Sequence, residues 1–150
     1  MDPGATTPDA VELTRRTFEY ANTGEFDELM SLFGPESVWD MSRWGLGTYQ
    51  GPAAIRRFFR DWFGAYETYE ILPEEIVDLG EGVVFTVGRQ EGRSAGWRAA
   101  HIRLRHAAVF VWVDGVALKV ATYRDIDEAR AAAVGLPARA DRRARSATRS

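Results

Sequence analysis

Residues 101–124 read HIRLRHAAVFVWVDGVALKVATYR, and the alternation within them decides the fold. Ile102, Leu104, Ala108, Phe110 and Trp112 fall on the same parity as His106, whereas His101, Arg103 and Arg105 fall on the other. Successive side chains of an extended strand point to opposite faces, so the even positions form an inner, apolar face. Asp114-Gly115 supplies the left-handed pair that a tight hairpin needs, and residues 116–124 return as the next strand. Upstream the same period predicts strands over 70–79 and 83–90, joined at Gly80-Glu81-Gly82, and carries the central strand back to residue 97. A strand that long bends, and Gly88 and Gly96 are the positions for a bulge or kink.

Towards the N-terminus the period lengthens to that of a helix. Thr7-Pro8-Asp9 is a helix start, Val11, Thr14, Phe18 and Ala21 share one face, and Asn22-Thr23-Gly24 is the stop. Phe26, Leu29, Met30 and Phe33 mark a shorter helix that Gly34-Pro35 ends. Residues 37–41 read as a short strand and 42–51 as a glycine-rich loop. The third helix is the best defined, with Ile55, Phe58, Phe59, Trp62, Phe63 and Tyr66 on one broad apolar face and Arg56, Arg57, Arg60 and Asp61 on a solvated back. After the last strand, Asp125 and Glu128 have capping-box spacing for a closing helix through Val134, which Gly135-Leu136-Pro137 ends. Helices segregated to one side of an antiparallel sheet define an α+β architecture, and a curved sheet beneath such a helix leaves a cavity.

Composition narrows the function classes. A chain of 150 residues is the length of one domain with one core. The absence of cysteine excludes disulfides, thiolate metal sites and cysteine nucleophiles, and makes the cytoplasm the expected location. No run approaches the roughly 20 apolar residues of a membrane helix, and the N-terminus lacks a signal-peptide pattern, so no membrane partner is expected. The net charge of −3 conceals an asymmetry: the last thirteen residues, ARADRRARSATRS, hold five arginines against one aspartate, which is +4 and leaves −7 for the rest. The folded part therefore offers no basic groove, and nucleic acid is not an expected partner. The domain is expected over 9–136, between a flexible 1–8 and a disordered basic tail over 137–150.

Five fragments occur in a telling order: Asn22-Thr23-Gly24-Glu25-Phe26-Asp27, Val38-Trp39-Asp40-Met41, Gly51-Pro52-Ala53-Ala54-Ile55, Val113-Asp114-Gly115, and Tyr123-Arg124-Asp125 with Glu128-Ala129. Together, over 9–136, they resemble the SnoaL-like branch of the NTF2-like superfamily, whose relatives include ketosteroid isomerases, limonene epoxide hydrolases and polyketide cyclases. The resemblance implies a cone-shaped pocket for a small hydrophobic molecule of polyketide, steroid or terpenoid type and a dimer built on the outer sheet surface. The leading expectation for function is cofactor-independent acid–base chemistry of the isomerase, cyclase or dehydratase kind, with Asp40 as base and His106 or Tyr49 assisting. The alternatives are a non-catalytic carrier or accessory dimer of the same fold, and an epoxide hydrolase-like enzyme with an altered site, because fold analogy does not assign chemistry.

The candidate site residues follow from both readings. Asp40 ends a short apolar strand ahead of a glycine-rich loop, where it either reaches into the pocket with a raised pKa or caps loop amides over 42–47. By the resemblance, Asp40 is equivalent to the general base of ketosteroid isomerases, but the oxyanion tyrosine falls at Thr17 and the protonated aspartic acid at Ala108. Against limonene epoxide hydrolases, Thr122 stands for an aspartate, Val38 for the tyrosine and Asp40 for the asparagine, so that triad is not reproduced. His106 is either a satisfied core histidine or the proton shuttle, and His101 faces solvent or a partner subunit. Asp125 matches a catalytic acid of SnoaL-like cyclases by the resemblance and a helix cap by its spacing. Tyr49 rims the pocket with a phenolic donor, and Arg89, on the parity of Val83, Phe85 and Val87, is expected to be buried against Asp40 or Glu91. Trp39, Phe59, Trp62, Phe110, Trp112 and Thr122 complete the expected ligand-binding set. Two histidines without paired carboxylates predict no metal site. Val109, Val111 and Val113, beside Arg103 and Arg105, predict a homodimer through the outer face.

Overall fold

A computed structural model describes residues 9–94 and 101–136, so the expectations for the two termini and for Gly96 lie outside the described residues. In chain order the elements are α1 (Ala10–Thr23), α2 (Phe26–Met30), β1 (Val38–Asp40), a 3-10 turn (Ser42–Trp44), β2 (Thr48–Gln50), α3 (Gly51–Gly64), β3 (Thr68–Gly80), β4 (Val83–Arg93), β5 (His101–Val113) and β6 (Val116–Tyr123). A closing helix, α4, covers 126–136. The six strands form one curved, unclosed sheet in the order β2-β1-β6-β5-β4-β3.

Two departures from expectation are topological. The sheet is mixed, because β1 pairs parallel with β6 while its other neighbours pair antiparallel. Parallel neighbours require a long crossover, and here α3 and the β3–β4–β5 meander supply it. Thr48–Gln50, inside the expected loop, forms the edge strand β2 against β1. A strand of three residues is too short to show a period of two.

Local signals explain the helix ends. The Asp9 carboxylate accepts the Glu12 amide at 2.8 Å as N-cap of α1, and Gly24 closes it in the left-handed region at φ +75°. The buried side of α1 is Leu13, Thr14, Thr17, Phe18 and Ala21, so the helix is rotated from the expected stripe and Val11 is only half-buried. Asn22 then ties α1 to β3 by donating to the Ile71 carbonyl and accepting from its amide, both at 2.8 Å. Pro52 starts α3 where no intrahelical N–H is needed.

Curvature enters at Glu74. The register passes from Pro73 opposite Gly88 to Glu75 opposite Val87, leaving Glu74 as the extra residue, so the bulge sits on β3. Gly88 on β4 makes room for it: a Cβ there would lie 3.1 Å from the Leu72 carbonyl oxygen and 3.4 Å from His106 Cε1.

The sheet has a core on each face. α1, α2 and α3 pack on the inner face over Val84, Ala108, Phe110, Trp112 and Val120. α4 packs on the other: Ala129 and Ala133, fully buried, lie over Val83, Phe85, Val87, Ala107 and Val109. Helices are thus not confined to one side, because a pair of alanines lets α4 approach the outer valines closely enough to exclude water. No helix among the described residues is long and apolar enough to cross a membrane.

Candidate functional site

The inner face of the sheet and the apolar face of α3 do not meet everywhere, and between them lies a cavity of about 40 Å³. From α3 come Phe58, Phe59, Trp62 and Phe63; from the β1 segment, Trp39 and Met41; from the remaining strands, Tyr69, Ile71, Gln90, His106 and Thr122. The aromatic walls hold one another edge to face, with Trp39 and Phe59 ring centres 4.7 Å apart and Phe63 and Tyr69 also 4.7 Å apart. Space of this size holds one or two waters and no organic ligand without movement of a wall.

Its polar atoms are few and two lack partners. His106 Nδ1 and Trp39 Nε1 are buried without a hydrogen bond, although buried polar atoms are nearly always paired. Burial, only partly opposed by the Gly88 backbone, pushes the His106 imidazole down to about 4, so the ring is neutral at pH 7. Tyr69 donates its hydroxyl hydrogen to Gln90 Oε1, and burial raises its pKa against the opposing Trp62 indole. Gly92 keeps Tyr69 in place, since a Cβ there would lie 2.9 Å from Tyr69 Cδ2. Thr122 Oγ1 lies 3.4 Å from the Asp40 carbonyl oxygen, to which it donates.

Of the residues singled out in the sequence, the structure brings Trp39, Phe59, Trp62, His106 and Thr122 together in this cavity. Asp40 is not among them. In the β1–β6 pairing Trp39 aligns with Val120 of the inner core and Asp40 with Ala121 of the outer one, so the Asp40 side chain leaves on the outer face. There its Oδ1 accepts the Ser42 amide at 2.9 Å and its Oδ2 lies 3.4 Å from Arg43 Nη1. Burial raises the Asp40 pKa, but the Ser42 hydroxyl and amide and the Arg43 and Lys119 charges outweigh it, and the net shift is downward. Asp125 is exposed and accepts the Glu128 amide at 3.0 Å as the cap of α4. Thr17, at the oxyanion-tyrosine position, spends its hydroxyl on the Leu13 carbonyl at 2.9 Å.

The remaining expectations shift in place. Arg89 is exposed rather than buried, 3.5 Å from Glu91 Oε1, because its parity on β4 faces outward beyond the edge of α4. Phe110 and Trp112 are stacked with centroids 6.0 Å apart beneath α1, where Trp112 Nε1 donates to Thr14 Oγ1 at 2.9 Å, so they are core and not cavity wall. Tyr49 packs on Phe58 at 4.8 Å outside the cavity and donates to the Leu46 carbonyl at 3.3 Å. Tyr69 and Gln90 were not anticipated. Tyr69 precedes the expected strand start, but Gln90 shares the inner parity of Val84 and Thr86, so alternation contained that signal. Among the described residues no three potential metal ligands come together.

With the fold and cavity established, comparison with known proteins gives the family. The sequence model of the SnoaL-like domain matches residues 14–121, and the chain belongs to that family. No curated protein matches the sequence significantly. Among solved structures it is similar to a candidate SnoaL-like polyketide cyclase from Shewanella putrefaciens, with 9% identity over 87% of this chain and 99% of that one, at a TM-score of 0.70. It is also similar to TerC co-crystallised with polyporic acid, with 19% identity over 84% of this chain and 98% of that one, at 0.65. An NTF2-like protein of Burkholderia pseudomallei matches with 20% identity over 81% and 95% of the two chains, at 0.66. At these identities the likeness is one of fold.

Proposed function

We propose that the chain binds a small, largely aromatic molecule carrying a hydroxyl or carbonyl oxygen, which displaces Trp62 to seat its ring against Trp39 and Phe59 and its oxygen at His106. The observation that carries this reading is the pair of unpartnered buried atoms, His106 Nδ1 and Trp39 Nε1, on residues lining one aromatic cavity. A polar group left unpaired in an apolar site costs free energy, and a ligand oxygen would recover it. The structural likeness to a protein co-crystallised with polyporic acid supports the same ligand type. Phenol, titrated against nitrogen-15-labelled protein, should shift the His106 ring resonances, and His106→Leu should weaken binding about tenfold. An unmoved His106 resonance at saturating phenol overturns the reading.

A second reading, proton transfer on the bound molecule, is favoured by the titratable groups of the cavity wall, which are the neutral imidazole of His106 and the phenol of Tyr69 with no carboxylate beside them. His106 is then the group that takes and returns the proton. Exchange of the α-protons of 2-tetralone in deuterated water, followed by NMR, should be accelerated by the protein, lost in His106→Leu and kept in Asp40→Asn. Exchange no faster than in buffer assigns the chain to binding without turnover.

A further inference from the structure

A groove of about 330 Å³ runs along the outer flank of α3, between Ala54, Arg57, Asp61 and Ala65 of the helix flank and Leu46 and Tyr49 of the β1–β2 connection and β2. It shares two walls with the inner cavity, Phe58 and Trp62. These rings lie 5.9 Å apart at a tilt of 32°, one helical turn from each other, and form the partition between the two spaces. Phe58 is buried, but Trp62 is only half-buried and its indole is held by ring contacts with Phe58, Tyr66 and Tyr69 rather than enclosed.

The volumes make the groove necessary. Pockets for small organic molecules occupy roughly 300–1,000 Å³, and the inner cavity at about 40 Å³ is far below that range. The groove alone reaches its lower end, but no residue lining it carries a buried unpartnered polar atom among the described residues, whereas His106 Nδ1 and Trp39 Nε1 belong to the cavity side of the partition and Trp44 Nε1 to neither space. We infer that the groove is the outer subsite of a single two-part site, and that its ligand is an elongated, biaryl-like molecule whose oxygen-bearing ring enters past a displaced Trp62 to His106 while its distal ring stays in the groove. This inference rests on the proposed inner-cavity reading and extends it to the length and shape of the ligand. The groove wall suits a flat apolar group: Tyr49, Phe58, Trp62 and Tyr66 offer ring faces, and Leu46 is an exposed large hydrophobe with 43% of its surface free. Arg57 and Asp61, on the helix flank at one-turn spacing, line the groove beside these rings and leave its floor apolar.

The test compares phenol with 4-phenylphenol, which differ by one ring. Burying a second ring in the groove should make 4-phenylphenol bind at least about tenfold tighter. Ala65 is exposed at the end of α3, so Ala65→Trp fills the groove from its rim and should remove that advantage while leaving phenol affinity unchanged; Ala53→Trp, on an exposed position of α3 outside the groove, should leave both affinities unchanged. Nuclear Overhauser effects from the distal ring to the Leu46 and Ala65 methyl groups provide a reading that needs no variant. Equal affinity for the two phenols, or an advantage that survives Ala65→Trp without Overhauser effects to those methyls, overturns the outer subsite, and the His106 resonance shift with phenol then still stands as the separate measure of the inner site. Absence of saturable binding by either phenol overturns both.

Discussion

At the proposed binding site, His106 sets stability against ligand binding. Its ring is 5% exposed, neutral, and has one nitrogen unpaired, so it contributes less to folding than an apolar side chain of its size would. His106→Leu is therefore expected to leave stability equal or to raise it by about 1 kcal/mol in urea unfolding, while weakening ligand binding. The same residue sets an acid dependence. Between about pH 6.5 and about 4 the unfolded chain takes up the imidazole proton and the folded chain does not. Stability then falls as pH drops through that window, by about 3 kcal/mol once pH is below both values, and is independent of His106 above it. Unfolding free energies at pH 7 and 4.5 should differ less in His106→Leu than in the parent. Asp40 acts in a different range: its lowered pKa contributes stability that is present above 3.8 and lost as pH falls below it. Because Asp40 organises the Ser42–Trp44 turn on the outer face, Asp40→Ala should cost about 1 kcal/mol in melting and leave phenol affinity unchanged; a collapse of affinity would return Asp40 to the binding site.

Among the elements, α3 and the β4–β5 pair position the site, and both were legible. The α3 stripe predicted from spacing is the stripe observed, with Ile55, Phe58 and Phe59 buried and Trp62 and Phe63 partly so. The inner parity of β5 also holds, with His106, Ala108, Phe110 and Trp112 all buried. Turn chemistry was equally readable. Gly82 adopts φ +78°, and a Cβ there would meet the Trp112 carbonyl oxygen at 2.2 Å, a backbone atom that cannot swing away. Gly82→Ala should therefore cost roughly 1–3 kcal/mol, more than an ordinary glycine-to-alanine change, as read from the urea midpoint. Less legible were β2 and the placement of β1. Three residues long, β2 exposes no periodicity, and β1, although readable as a short strand, takes its place beside β6, a partner about 80 positions away.

On the scale of the whole molecule, the outer sheet face is the open matter. α4 buries Val109 there, leaving Val111 half-buried and Val113 and Leu118 exposed as the remaining apolar edge. We propose that the homodimer expected from the sequence uses this remaining edge; light scattering should give about twice the chain mass of 16.8 kDa, and a mass near the single-chain value would refute it. The amino-acid sequence by itself determined the element order apart from β2, the inner face of β5, the turns and the family, because each is written in local periodicity or in short fragments at fixed spacing. Only the tertiary structure decided which residues share the cavity. Trp39 and Asp40 are adjacent and must point opposite ways, but which of them faces inward is set by the register of β1 on β6; once Asp40 is outside, its near neighbours Ser42 and Arg43 and the distant Lys119 hold its carboxylate there. The same holds for α4, whose alanines reveal a close-packing stripe without naming the face that receives it, and for the cavity, whose volume is what remains after α3 and the bent sheet have packed.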